Sequence, residues 1–162
     1  MSDEALMAEA RKFEKKLLNF FWRQGVSLSE GEDLVQETYL RLWKYRCEYK
    51  PTAKLSTFLF LMARQVRIDA LRRQTRRENR EELWGKEQPA SEGPKAFGVR
   101  EDVRWALAKI SEPLRDVIEL GVFQDLPYAE VAEILGIPVG TVKSRMHNAL
   151  KELKEIFDEQ GS

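Results

Sequence analysis

Apolar residues recur at three- and four-residue intervals along most of the chain, and no stretch alternates with a period of two. That pattern predicts helices and no strands. Four helical stretches precede residue 81. The first runs from about Glu4 to Trp22, with Phe13, Leu17 and the Phe20–Phe21 pair at helical spacing, and Gly25 stops it. Ser29 is a suitable N-cap for a second helix, about Glu30 to Arg46, that places Val35, Tyr39, Leu42 and Trp43 on one face. Tyr49-Lys50-Pro51 breaks the period. Ser56 or Thr57 can cap a third helix with Phe58, Leu59, Met62 and Val66 inward, and an arginine-rich stretch continues from its end.

From about Glu81 to Val99 the pattern dissolves. Gly85, Pro89, Ser91, Gly93, Pro94 and Gly98 interrupt any period, which predicts a linker, with Trp84 and Phe97 able to dock locally. Helical spacing resumes with Val103, Ala106, Leu107 and Ile110; Ser111-Glu112-Pro113 then reads as a helix start followed by Val117, Ile118 and Leu120. The expected architecture is all-α: two small helical domains, 1–80 and 100–162, joined by 81–99.

The most informative stretch follows. Tyr128 to Leu135 reads as a short helix, Gly136-Ile137-Pro138 as a tight turn, and Val139 as the start of a longer helix. Gly136 suits a left-handed C-terminal stop, and Pro138 loses nothing at a helix start. Two helices joined in this way match a helix-turn-helix. On the second helix Val142, Met146, Ala149, Leu150, Leu153, Ile156 and Phe157 form one stripe. The opposite face presents Thr141, Lys143, Ser144, Arg145, His147, Asn148 and Lys151, donors suited to phosphates or to base edges in a major groove. The bland counterpart is a solvated face on an ordinary helical hairpin.

Charge sharpens this picture. Basic and acidic side chains balance at 27 each, so the net charge is zero, but they are segregated. Arg64, Arg67, Arg72, Arg73, Arg76, Arg77 and Arg80 crowd one stretch, opposed there only by Asp69 and Glu78. One cysteine, Cys47, excludes an internal disulfide, and with a single histidine, His147, it makes a structural zinc site a poor fit. No cofactor or metal is expected. The polar N-terminus lacks a signal-peptide core, and no apolar run nears the roughly 20 residues of a membrane span; a cytoplasmic protein without membrane contact of its own is expected.

The stretch from Leu126 through Gly136-Ile137-Pro138 to Arg145 resembles region 4 of bacterial sigma factors of the extracytoplasmic-function group. Asp33-Leu34-Val35-Gln36-Glu37-Thr38-Tyr39-Leu40-Arg41-Leu42-Trp43 is similar to region 2.2 of that family. Lys54 to Phe58, Ala63 to Gln65 and Ile68 to Arg73 are similar to regions 2.3 and 2.4. The resemblance implies a subunit of RNA polymerase that directs promoter-specific initiation, with core polymerase (the β′ clamp helices and the β subunit) and promoter DNA as partners. It implies docking on polymerase through the outward face of the second helix: Asp33, Gln36, Glu37, Leu40 and Arg41. It implies that the −10 element is opened and held by Tyr49, Lys50, Lys54, Phe58, Met62, Arg64, Gln65, Arg67, Arg72 and Arg73. Strand opening needs a basic surface and flat or apolar groups to catch unstacked bases, and those residues supply both. The face of the last helix would read the −35 element.

Departures from the family pattern are informative. Phe58 stands where many members carry tryptophan, and Leu61-Met62 replaces an aromatic wedge, which implies weak intrinsic melting. Asn148 and Leu150 occupy positions often held by arginine, so the −35 sequence does not carry over. Nothing matches region 1.1 or region 3, and no further domain is expected after Phe157. Met62 and Phe58 could instead be core, and the arginines merely solvated.

Two other classes compete. Glu32, Asp33 and Glu37 could bind a divalent metal, as in a nuclease, but no general base or phosphate-gripping loop accompanies them, so an enzyme is not expected. A stand-alone helix-turn-helix regulator, or a phage- or plasmid-borne factor, would use the same DNA face; the Asp33–Trp43 motif favours the polymerase subunit. Many relatives are held by an anti-sigma protein, which makes one a candidate partner here. Thr38, in the docking helix, is a candidate phosphorylation switch.

Overall fold

The computed structural model describes residues 2–50, 54–84 and 101–161, and among them every regular element is helical. Helix α1 spans Asp3–Arg11, capped by Ser2, whose hydroxyl accepts from the Ala5 N–H at 3.1 Å. Helix α2 spans Glu14–Arg23. The single helix expected over this stretch is broken at Phe13, where the backbone N–H of Phe13 turns back to the Ala10 carbonyl. The break lets Leu6 and Ala10 of α1 and Leu17, Phe20 and Phe21 of α2 all reach the interior, which one straight stripe would not.

Helix α3, Leu28–Lys44, is capped by Ser27 rather than Ser29: the Ser27 hydroxyl accepts from the Glu30 N–H at 3.3 Å. Beginning earlier lets Gly31, Leu34 and Val35 face α2. Trp43, expected inward with Leu42, is 44% exposed, while Leu42 is fully buried. A short 3₁₀ turn, Arg46–Glu48, follows. Helix α4, Leu55–Trp84, packs against α3 and runs 30 residues, so the arginine-rich stretch is helical and extends past residue 80. Pro51, and the linker beyond Trp84 with Phe97, lie outside the described residues.

The C-terminal half is α5 (Glu101–Lys109), α6 (Glu112–Ile118), a π-helical turn (Glu119–Phe123), α7 (Tyr128–Leu135) and α8 (Val139–Gly161). Gly136 ends α7 in the left-handed conformation, φ 66° and ψ 36°, where a side chain would be strained. Gly121 in the π turn lies so close to α8 that a Cβ there would sit 2.5 Å from Met146 Cε.

The two halves lie against each other, and their buried apolar side chains form one continuous cluster. Three helix ends meet at the seam. Arg23, the last residue of α2, donates from Nε and Nη2 to the Glu119 carboxylate at 2.6 and 2.7 Å, both side chains almost fully buried. Gln124 donates to the same carboxylate at 3.1 Å, and the Phe123 ring lies 4.2 Å from the Arg23 guanidinium. Arg104 of α5 completes the seam: it donates to the carbonyls of Trp22 and Val26 at 2.9 and 3.3 Å, and its guanidinium stacks 3.8 Å from the Trp22 ring. The Trp22 carbonyl lies in the last turn of α2 and the Val26 carbonyl just beyond it, and a cation there is also favoured by the helix dipole.

A buried charge left without its partner is far costlier than the pair is helpful. Arg23→Met should therefore destabilise the protein by about 3–5 kcal/mol. The double variant Arg23→Met with Glu119→Leu should recover most of that loss. Urea unfolding followed by the fluorescence of Trp22, itself in the seam, checks both.

Candidate nucleic-acid interface

The reading face of α8 forms as its spacing predicts. Val142, Met146 and Ala149 are buried, while Lys143, Ser144, His147, Asn148 and Lys151 are exposed, with Thr141 and Arg145 half-buried. Ser144 spends part of its capacity locally, donating to the Thr141 carbonyl at 3.1 Å. Leu150 and Phe157 do not join the inner stripe: they are 50% and 39% exposed. A helix repeats every 3.6 residues, so a stripe continued to Leu150 and Phe157 drifts off the side held by α6 and α7.

On α4 the residues linked to the −10 element divide by helix face. Phe58 sits at its start with Tyr49 beside it, ring centroids 5.6 Å apart; Gln65, Arg72 and Arg73 are exposed, as is Lys50 in the preceding loop. Met62 is only 5% exposed, so it is a packing residue here and cannot catch a base in this arrangement. Thr57, Arg64 and Arg67 turn toward the C-terminal half. The Thr57 hydroxyl donates to Glu130 of α7 at 2.9 Å, and Lys54 lies 3.5 Å from the same carboxylate. Arg64 Nε is buried without a hydrogen bond, 3.8 Å from the Asp116 carboxylate of α6. Arg67 is held below the usual arginine range by burial, with Glu30, Glu112 and Asp116 pulling the other way.

On α3, Asp33, Gln36 and Leu40 are exposed, and Leu40 at 68% is the most exposed large apolar side chain among the described residues. Glu37 and Arg41 differ from the expected solvent-facing pair. Arg41 reaches Asp69 of α4 at 2.5 Å and Glu37 at 3.5 Å, and Arg73 reaches Glu37 at 3.3 Å. The Arg41 hydrogen bond holds the Asp69 carboxyl below its usual range. This network ties α3 to α4, so Glu37 and Arg41 hold the bundle together as well as lining its surface. Thr38 is fully buried and donates to the Leu34 carbonyl at 2.7 Å, which overturns its candidacy as a phosphorylation switch: no kinase reaches that hydroxyl while the helix is packed. Among the described residues no group of three acidic, histidine or cysteine side chains is placed to hold a metal ion, Glu32, Asp33 and Glu37 included.

Sequence reasoning missed the acids at the seam, Asp116, Glu119 and Glu130. Burial pushes the Asp116 carboxyl from 3.8 up to about 6; Glu112 and Glu119 push the same way, while Arg64 and Arg115 oppose. Burial also raises Glu119, with Arg23 and Gln124 opposing it. A carboxyl with a raised pKa binds its proton more tightly folded than unfolded. That contribution is full below about pH 4 and is lost as the pH climbs through about 6. The urea midpoint should therefore fall between about pH 4 and about pH 6, and Asp116→Asn should flatten the fall.

Two family models match the chain in order: Sigma-70 region 2 over residues 10–77 and Sigma-70 region 4 over residues 100–153. The chain is 32% identical over 157 residues to the ECF RNA polymerase sigma factor RpoE of Cereibacter sphaeroides, covering 94% of this chain and 87% of that one. It is 34% identical over 149 residues to the ECF sigma factor SigL of Mycobacterium tuberculosis, covering 86% and 84%. Two solved structures share the fold. The sigma factor RpoE of Bartonella quintana, solved with the anti-sigma factor NepR, aligns with a TM-score of 0.72 at 24% identity over 95% of this chain and 92% of that one. CnrH, solved with the cytosolic domain of CnrY, aligns with a TM-score of 0.71 at 22% identity over 97% of each. Regions 2 and 4 in this order, on an all-helical fold, in a chain a third identical to named members along most of their length, make this protein a member of the extracytoplasmic-function group of sigma-70-family RNA polymerase sigma factors.

Proposed function

We propose that the two matched regions divide the work of promoter-specific initiation as follows. Residues 1–80 bind core polymerase and the −10 element, 81–99 link, and 100–162 read the −35 element. The outward strip of α3, Asp33, Gln36 and Leu40 with Glu37 and Arg41 at its edge, docks on the β′ clamp helices. Lys50, Lys54, Arg64, Gln65, Arg67, Arg72 and Arg73 hold the −10 backbone, and Tyr49 and Phe58 receive unstacked bases. Lys143, Ser144, His147 and Asn148 face the −35 base edges, with Thr141, Arg145 and Lys151 on phosphates.

One observation carries this reading: α3 buries Leu34, Val35 and Leu42 yet leaves Leu40 in solvent among polar neighbours. A mixed strip of this kind on an otherwise packed helix suits a partner protein, which a stand-alone regulator does not need. The donor face of α8 serves either reading, so it is the strip that favours the polymerase subunit. The role is that of an initiation factor working with polymerase rather than of an enzyme. Polymerase and promoter are both cytoplasmic, and no described helix is long and apolar enough to cross a membrane. The named likeness of a relative solved with an anti-sigma factor supports a protein inhibitor as a further partner.

Asp33→Lys with Leu40→Asp should lower affinity for core polymerase at least tenfold, because a repelled charge and a lost apolar contact at one interface together exceed about 1.4 kcal/mol. Helical content should be unchanged, since both side chains are exposed. A core-polymerase pulldown beside circular dichroism tests this; normal assembly by the folded variant would favour the stand-alone regulator. In the same holoenzyme, Asn148→Arg should shift −35 preference from adenine toward guanine at one position, by about 1–3 kcal/mol. Selection from a randomised −35 library reads the shift, and an unchanged preference removes Asn148 from base contact.

A further inference from the structure

We propose that α4 adds a second, basic wall to the polymerase-docking face of α3: Arg77 and Arg80 look across a groove at Asp33 and Glu30, and the groove takes a partner helix with acidic side chains along one edge and basic ones along the other. This deepens the reading of α3 given above, in which core polymerase supplies that helix, and rests on it.

The arginine-rich end of α4 is not one surface. Steps of three and four residues keep side chains on one face of a helix. Ala70, Arg73, Arg77 and Arg80 are related by such steps, and the first two already face α3: Ala70 is buried, and Arg73 reaches Glu37 at 3.3 Å. Arg72 lies on another face, where it lines a groove with Glu112 of α6.

The pairing of α3 with α4 runs antiparallel. Arg41 pairs with Asp69, and one turn further on Glu37 pairs with Arg73. The next pairs in that register would be Asp33 with Arg77 and Glu30 with Arg80. They do not close. Among the described residues Asp33 and Glu30 form no ion pair, and a groove of about 870 Å³ opens between the helices instead. Glu30, Asp33 and Glu37 line one wall, and Arg73, Arg77 and Arg80 line the other. Leu34 and Ala70, both buried, form its floor.

Two walls of opposite sign select the occupant. A DNA strand would gain from the arginines but meet three carboxylates facing them, and like charges brought together at an interface are costly. A peptide of one sign meets the same objection at one wall or the other. A helix with acids toward α4 and bases toward α3 satisfies both walls. Asp33 belongs to this groove and also to the exposed strip with Gln36 and Leu40, so one partner can cover the two without a gap.

The test uses the full chain and core polymerase. Unlabelled variants compete with parent protein carrying a dye on the exposed Cys47, so that displacement reads affinity for core. Arg77→Glu with Arg80→Glu should bind core about tenfold more weakly than the parent. Arg77→Gln with Arg80→Gln should bind about threefold more weakly, with a shallower dependence on salt. At saturating core both should occupy promoter DNA as the parent does. Circular dichroism checks that α4 is intact, and if the charge reversal unfolds it the glutamine pair decides. Normal displacement by a folded variant overturns the second wall. So does normal assembly with promoter binding lost at saturating core, which would place the two arginines on DNA. Asp33→Lys with Leu40→Asp, run beside them, separates the two readings. If that variant also assembles normally, α3 is not the polymerase face and the underlying reading has failed; if it alone loses affinity, only the second wall has.

Discussion

The arrangement of this molecule depends on one buried ion pair. Arg23 closes α2 and Glu119 opens the π turn, 96 residues apart, and their two hydrogen bonds of 2.6 and 2.7 Å are the shortest polar contacts across a seam that is otherwise apolar contact with a few part-buried polar pairs, among them Thr57–Glu130 and Arg64–Asp116. Charges so deeply buried gain little net stability as a pair, but each forbids any packing that separates it from the other. The pair therefore selects an orientation more than it adds strength. The surrounding groups obey it: Gln124 fills the remaining acceptor capacity of Glu119, Phe123 covers Arg23, and Arg104 ties α5 to the carbonyl end of α2. The π turn has a structural reason in this setting, since the wider turn includes Glu119 at the seam and brings Gly121 against Met146 of α8.

That orientation decides which nucleic-acid surfaces are open. The face of α8 points away from the seam and is complete, with five exposed donors on one side. The face of α4 is split, one flank in solvent and one ridge against α6 and α7. Two of the 27 acids, Asp116 and Glu130, meet that ridge, so part of the chain's charge balance is made across the seam. Segregated charges can neutralise one another across a seam as readily as they can repel or attract a partner.

Local chemistry was legible in the sequence, and distant pairing was not. Gly136 with Pro138 identified the helix-turn-helix, because a left-handed stop and a helix start each have few chemical solutions. The stripe Val142, Met146 and Ala149 followed from period alone. The break at Phe13 did not, because no glycine or proline marks it; α1 and α2 separate to serve two parts of one core, a tertiary demand. Ser27 displaced Ser29 as cap for the same kind of reason, since both residues are competent and packing chose. Glu37 and Arg41 read as surface because their neighbours in sequence are polar, yet their partners Asp69 and Arg73 arrive from another helix. Thr38 and Met62 were misjudged in one direction: each is chemically able to do something, and each is buried. Asp116, Glu119 and Glu130 carried no local signal at all. An acid within an amphipathic helix looks solvated until the surface that covers it is known.

The exposed strip of α3, Asp33, Gln36 and Leu40, is bordered by α2 and, through Glu37 and Arg41, by α4, and no extensive contact with the C-terminal half crosses it. Leu40 remains exposed while the halves are docked. The strip is therefore accessible with the halves packed as they are. The ridge of α4 that faces α6 and α7 is different, since Thr57 and Arg64 already have acidic partners. The two faces of these adjacent helices are thus in different states, one free in solvent and the other already paired with acids across the seam.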